Sequence, residues 1–189
     1  MTKRILPFTI LGSIFFALTA GHTRADEISA HETSAREQPH VAITVSPLHM
    51  FVPMAELTVE ARVAPKVGVA AIGGAGTYRT MDTNDRISLI EAGASARYYA
   101  AGSFRTGLQL GFEALYVHAF TNASNIDVKA AGLALSPFAG YKWTHSSGLT
   151  LEGELGVSYM VARAEAATGQ MAERKAYGPM LNLQVGYSF

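Results

Sequence analysis

The chain contains no cysteine. That excludes structural disulfides, thiolate metal sites and a lipid-bearing cysteine behind an export signal. Past residues 5–18 it also lacks any apolar run long enough for a spanning helix, which needs about 20 residues. A membrane could therefore be crossed only by strands, whose backbone groups are satisfied by their neighbours. An excess of basic charge is missing too, with 15 Lys and Arg against 15 Asp and Glu. Loss of residues 1–25 would remove Lys3, Arg4 and Arg24 and leave 12 basic against 15 acidic residues. A mildly acidic chain of this kind argues against a nucleic-acid partner. No Gly-x-Gly run opens a helix, so a phosphate-binding loop is excluded as well.

What is present begins with an export signal. Lys3 and Arg4 precede the apolar stretch 5–18, and small residues follow. Thr23-Arg24-Ala25 fits cleavage after Ala25, with Ala20 as the alternative. Residues 26–39 are polar and without apolar period, which reads as a flexible periplasmic leader.

From residue 40 the pattern changes to a period of two, the signature of strands with one apolar and one polar face. Eight segments are predicted, over 40–51, 54–64, 66–78, 87–100, 105–120, 128–144, 149–163 and 177–189. Each reaches the ~9–11 residues that a tilted membrane strand requires. Ala64-Pro65-Lys66, Ala101-Gly102-Ser103 and His145-Ser146-Ser147-Gly148 are tight turns, and they alternate with longer polar stretches at 79–86, 121–127 and 164–176. Short and long connections alternate in this way in outer-membrane barrels. The exception is the first outer connection, Val52-Pro53, which is unusually short.

Aromatic residues fall into two bands under this threading. Tyr98, Tyr99, Phe104, Tyr141, Trp143, Tyr187 and Phe189 gather at the turn ends, and Phe51, Tyr78, Tyr116, Phe120, Tyr159 and Tyr177 at the loop ends. Such rings favour the two membrane interfaces. The apolar register puts Leu57, Val59, Leu108, Leu110, Phe112, Leu151, Leu155 and Val157 outside. The opposite register holds a polar network of Glu60, Arg62, Glu91, Arg97, Glu113, Lys142, Glu152 and Glu154, together with Glu56, Gln109, Asn182 and Gln184. Charge in a lipid face costs about 2–4 kcal/mol for Lys or Arg, so these residues must point inward and pair there. The set is acid-heavy. A metal or proton site competes with a structural salt-bridge network, and the structural reading is preferred; no catalytic, cofactor-binding or metal residue is assigned.

The final nine residues alternate strictly, with Leu181, Leu183, Val185, Tyr187 and Phe189 on one face, and the sequence stops on Phe189. This ending resembles the C-terminal assembly signal of Gram-negative outer-membrane barrels. With the export signal and eight alternating segments, the whole mature chain resembles the small outer-membrane β-barrel family, similar to the OmpA transmembrane domain and the OmpX-type barrels. The resemblance implies an all-β, eight-stranded antiparallel up-and-down transmembrane barrel over residues 40–189. A lumen just wide enough for its own side chains argues against a general porin, and the sequence shows no catalytic constellation, so no enzyme is expected. It further implies outer-membrane lipid and lipopolysaccharide as surroundings, a monomer, and contact with the barrel assembly machinery through the last strand. Three alternatives stand beside it. One is a lipid-modifying enzyme of the lipid A deacylase type, for which His145 with Ser146 and Ser147, or His118 with Ser124, are the Ser-His candidates. Another is a narrow solute path lined by Arg97, Glu113 and Lys142. The last is a soluble lipocalin-like barrel, which needs the reverse polarity.

Overall fold

Strict alternation leaves each segment with one face that shuns water and one that needs it, and a single sheet resolves this by closing on itself. The computed structural model describes residues 39–51, 53–79, 86–121, 129–165 and 171–189. Eight strands follow in chain order: β1 (Val41–Val45), β2 (Met54–Ala64), β3 (Val67–Arg79), β4 (Arg86–Gly102), β5 (Thr106–Thr121), β6 (Lys129–Thr144), β7 (Leu149–Glu165) and β8 (Met171–Ser188). Each pairs antiparallel with its sequence neighbours, and β1 pairs with β8 to close the barrel. Beyond the strands, Phe189 completes the seam: its N–H donates to Val41 O at 2.8 Å, and its carbonyl accepts from His40 N at 2.7 Å.

The polarity is inverted relative to a water-soluble domain. Among the described residues nineteen polar or charged side chains are buried against six hydrophobic ones. The large apolar residues stand outside, with Leu155 64% and Leu110 50% exposed. A soluble protein seldom shows a continuous apolar surface of this kind. Lipid is the solvent that this wall suits. The barrel is of the transmembrane class, and its interior is polar.

Three expectations need correction. The first predicted strand, 40–51, is only half a strand: β1 ends at Val45 and a short helix, α1 (Pro47–Phe51), follows. Pro47 lacks the N–H a ladder requires, and its fixed φ suits the first helical position. The connection between β1 and β2 is therefore longer than Val52-Pro53. The eighth strand starts at Met171 rather than at 177, because its added residues pair with the extended end of β7, from Tyr159↔Tyr177 out to Glu165↔Met171. Finally, Tyr99 and Phe104 do not belong to the turn-end aromatic band. Both are 0% exposed and face the lumen. Tyr98 and Tyr99 are adjacent on one strand and must point to opposite sides; only Tyr98 joins Tyr141, Trp143, Tyr187 and Phe189 outside.

The turns obey local chemistry. Gly102 (φ 83°) and Gly148 (φ 99°) hold left-handed conformations in the β4–β5 and β6–β7 turns, where a side chain would be strained. The predicted export signal, nearly all of the predicted leader, and the predicted loop residues 80–85, 122–128 and 166–170 lie outside the described residues, as do the side chains of Phe51 and Tyr78.

Candidate functional site

The lumen divides into a turn-end half and a loop-end half, which differ in charge balance. At the turn end Arg97 of β4 is 2% exposed and reaches three carboxylates. Its Nη1 lies 2.7 Å from Glu152 Oε1 and 3.3 Å from Glu60 Oε2, and its Nη2 lies 2.9 Å from Glu154 Oε1. Lys142 of β6 donates to Glu60 Oε2 at 2.5 Å. Tyr99 donates its hydroxyl to Glu60 Oε1 at 2.7 Å, and Gln109 Nε2 donates to Glu152 Oε1 at 2.6 Å. Below them the Phe104 ring packs against Tyr99, with centroids 5.7 Å apart, and the Lys142 ammonium sits 3.9 Å from the Phe104 ring centre. Buried charges persist only when paired, and Arg97, Lys142 and the three carboxylates are all ion-paired, although Arg97 Nε, Glu152 Oε2 and Gln109 Oε1 have no hydrogen-bond partner.

Glycines on neighbouring strands make the room. Arg97 pairs across the sheet with Gly68 and with Gly111. A Cβ at Gly68 would meet the Glu60 carboxylate, and one at Gly111 would meet the Phe138 ring. Phe138 in turn lies beneath the Arg97 guanidinium, 5.9 Å from its centre. An eight-stranded barrel is just wide enough for its own side chains, and here they fill the turn-end half.

The loop-end half is different. Glu56, Glu91 and Glu113 are each at least nine-tenths buried and line a cavity of about 340 Å³. His49 of α1 reaches into the same space, its Nδ1 2.9 Å from Glu56 Oε2. Asn182 Nδ2 bridges the two halves with contacts of 3.4 Å to Glu56 Oε1 and to Glu154 Oε2. The cavity continues along β8 from Ala176 to Asn182. Pairing between β1 and β8 stops at Val45↔Val185, so α1 takes the place of a strand beside this stretch.

Of the predicted interior set, Glu60, Arg97, Lys142, Glu152 and Glu154 meet in one network, and Glu91 and Glu113 line the loop-end cavity. Arg62 sits apart, partly exposed at the turn end, with Nη2 3.0 Å from His40 Nε2. Leu181, Leu183, Tyr187 and Phe189 project outward from the seam strand. Sequence reasoning missed His49 as a lumen residue, because it extended the first strand through the position; Ser46-Pro47 was the signal that the strand stops. It also missed Tyr99, whose inward register follows from Arg97 two residues earlier.

The Ser-His candidates part company. His145 Nδ1 lies 3.0 Å from Ser147 Oγ and accepts the Ser147 backbone N–H at 3.2 Å, so the imidazole staples its own exposed turn. Tyr187 donates to Ser147 O in the same turn. His118 stacks near Phe120, at 6.0 Å between ring centres; Ser124 lies outside the described residues.

No family model matches the chain, and no curated protein does. Among solved structures the chain is similar to a major outer membrane protein from Thermus thermophilus, at 14% identity and a TM-score of 0.48, over 79% of this chain and 99% of that one. It is also similar to Acinetobacter baumannii CarO2, at 12% identity and a TM-score of 0.35, over 80% of this chain and 98% of that one.

Proposed function

We propose that the protein is a non-enzymatic β-barrel of the Gram-negative outer membrane with a structural or surface-interaction role. The observation that carries this reading is the inverted polarity of a closed eight-stranded wall whose turn-end lumen is filled by its own paired charges. Surroundings of outer-membrane lipid and lipopolysaccharide fit the apolar exterior. The outward row Leu181, Leu183, Val185, Tyr187 and Phe189 is the assembly signal read by the barrel assembly machinery after export of residues 26–189. Surface interaction falls to the loop ends, where Arg163, Glu173 and Lys175 form exposed ion pairs.

The test combines membrane fractionation with heat-modifiability on a gel, for the intact protein and for a variant lacking Phe189. The expected result is an outer-membrane location and a mobility shift on boiling, both lost without Phe189. A soluble periplasmic protein indifferent to the loss of Phe189 overturns the reading.

A further inference from the structure

The two halves of the lumen hold three buried carboxylates each, yet their cations are unequally shared. Glu60, Glu152 and Glu154 contact Arg97 or Lys142. Against Glu56, Glu91 and Glu113 the His49 imidazole, a cation only when protonated, makes contact at Glu56. Glu91 is 7% exposed, and its Oε1 is buried with no hydrogen-bond partner. A buried carboxylate oxygen without a donor is expensive, and Glu91 is among the residues that line the cavity of about 340 Å³. Donor atoms of His49, Glu56 and Glu91 all lie within 4.8 Å of one another.

We infer that His49, Glu56 and Glu91 form a binding site for one divalent transition-metal cation of the Zn²⁺ class in the loop-end lumen. Bonds of about 2.0–2.2 Å from one imidazole nitrogen and two carboxylate oxygens suit Zn²⁺. Calcium and magnesium prefer oxygen-only shells, so the imidazole sets the choice of metal. On binding the metal His49 would give up any proton it carries to solvent and coordinate as the neutral imidazole. The dication would offset the acidic excess, and Glu113 on the same cavity adds to the negative field around it. The position of α1 is essential. It places His49 opposite β2 and β4, where a continuing strand would have directed the side chain elsewhere. The ligands come from three separate elements, so bound metal would tie α1 to the barrel wall. This inference rests on the lumen geometry and holds whichever membrane contains the barrel.

The experiment is calorimetric titration of the folded barrel in detergent with Zn²⁺, and separately with Ca²⁺ and Mg²⁺, after treatment with a chelator. One Zn²⁺ per chain is expected, with Ca²⁺ and Mg²⁺ at least about tenfold weaker. Glu91→Gln and His49→Ala should each weaken Zn²⁺ by at least about tenfold, the low end of the loss seen when even supporting groups at metal sites are removed. Glu173→Gln, on the exposed rim, should bind like the parent. Heat-modifiability shows that each variant is folded; should one fail to fold, X-ray absorption on the zinc-loaded parent reads the same assignment as one nitrogen and carboxylate oxygens in the inner shell. No stoichiometric Zn²⁺ binding by the parent overturns the site, as does binding that both folded variants retain or an inner shell without imidazole.

Discussion

Lys142 on β6 and Glu60 on β2 meet at 2.5 Å, although their strands stand on opposite sides of the ring, equally far apart in either direction round it. The contact therefore spans the full diameter of the barrel. Neighbouring strands are held by ladder hydrogen bonds, but nothing in a ladder resists flattening of the cross-section. A buried ion pair across the lumen does, and Arg97 reinforces it by joining β4 to β2 and β7.

Removing one end of that strut should be costly. Lys142→Met leaves Glu60 buried with only Arg97 and Tyr99 for support. Breaking a buried pair typically costs about 3–5 kcal/mol, and the remaining partners place this loss toward the low end. Urea unfolding of the barrel in lipid vesicles measures it. The double variant Glu60→Gln, Lys142→Met should lose less than the sum of the two single losses, since residues in one network are not additive. Strict additivity would show that the two side chains do not act together.

The exterior makes an equally direct prediction. Leu155 faces outward from the middle of β7, next to Leu181 across the sheet. Leu155→Arg should destabilise the barrel in a bilayer by about 2–4 kcal/mol, the cost of a cation at mid-depth. Leu155→Gln should cost less. Refolding equilibria in vesicles measure both, and an arginine tolerated without loss would mean that this face meets water.

How much of this was legible in the sequence depends on which rule each residue obeys. The period of two set the register of β2 to β7 within one or two residues at most ends, because every residue there repeats the same choice of face. It placed Glu60, Arg97, Glu152 and Glu154 inside for the same reason. It could not show that Lys142 reaches Glu60 in particular, since that depends on barrel diameter and on the space left by glycines on adjacent strands. Composition misled at Tyr99 and Phe104, where an aromatic near a strand end was read as interfacial, although Tyr99 shares its face with Arg97. Pro47 was a local stop that the longer apolar pattern obscured, and His49 was lost with it.

Conductance tests whether the turn-end network closes the lumen. The intact barrel should be silent in planar bilayers, because Arg97, Lys142, Tyr99 and Phe104 fill the cross-section. Arg97→Ala removes the side chain that touches three carboxylates at once. Water can then enter to solvate Glu60, Glu152 and Glu154, and a small conductance with cation preference is expected, since negative rings in pores favour cations. Steady conductance by the intact protein would show that the network yields to ions.

The seam between β1 and β8 is the shortest pairing in the barrel, running from Ala42↔Ser188 to Val45↔Val185, and one residue governs how closely it shuts. Gly186 pairs with Thr44, and a Cβ there would collide with Ile43 O and Thr44 Cα. Those are backbone atoms of the opposing strand, which cannot swing aside as a side chain would. Gly178 lies on the same strand with open space where its Cβ would be. Gly186→Ala should therefore cost about 1–3 kcal/mol, the usual range for overpacking, while Gly178→Ala should be nearly neutral. The loss should fall on closure: the Gly186 variant is expected to lose its heat-modifiable band at a lower temperature than the parent, and the Gly178 variant to match the parent. Equal behaviour of the two would mean that the seam has slack, and that α1, rather than the β1–β8 ladder, holds the barrel shut.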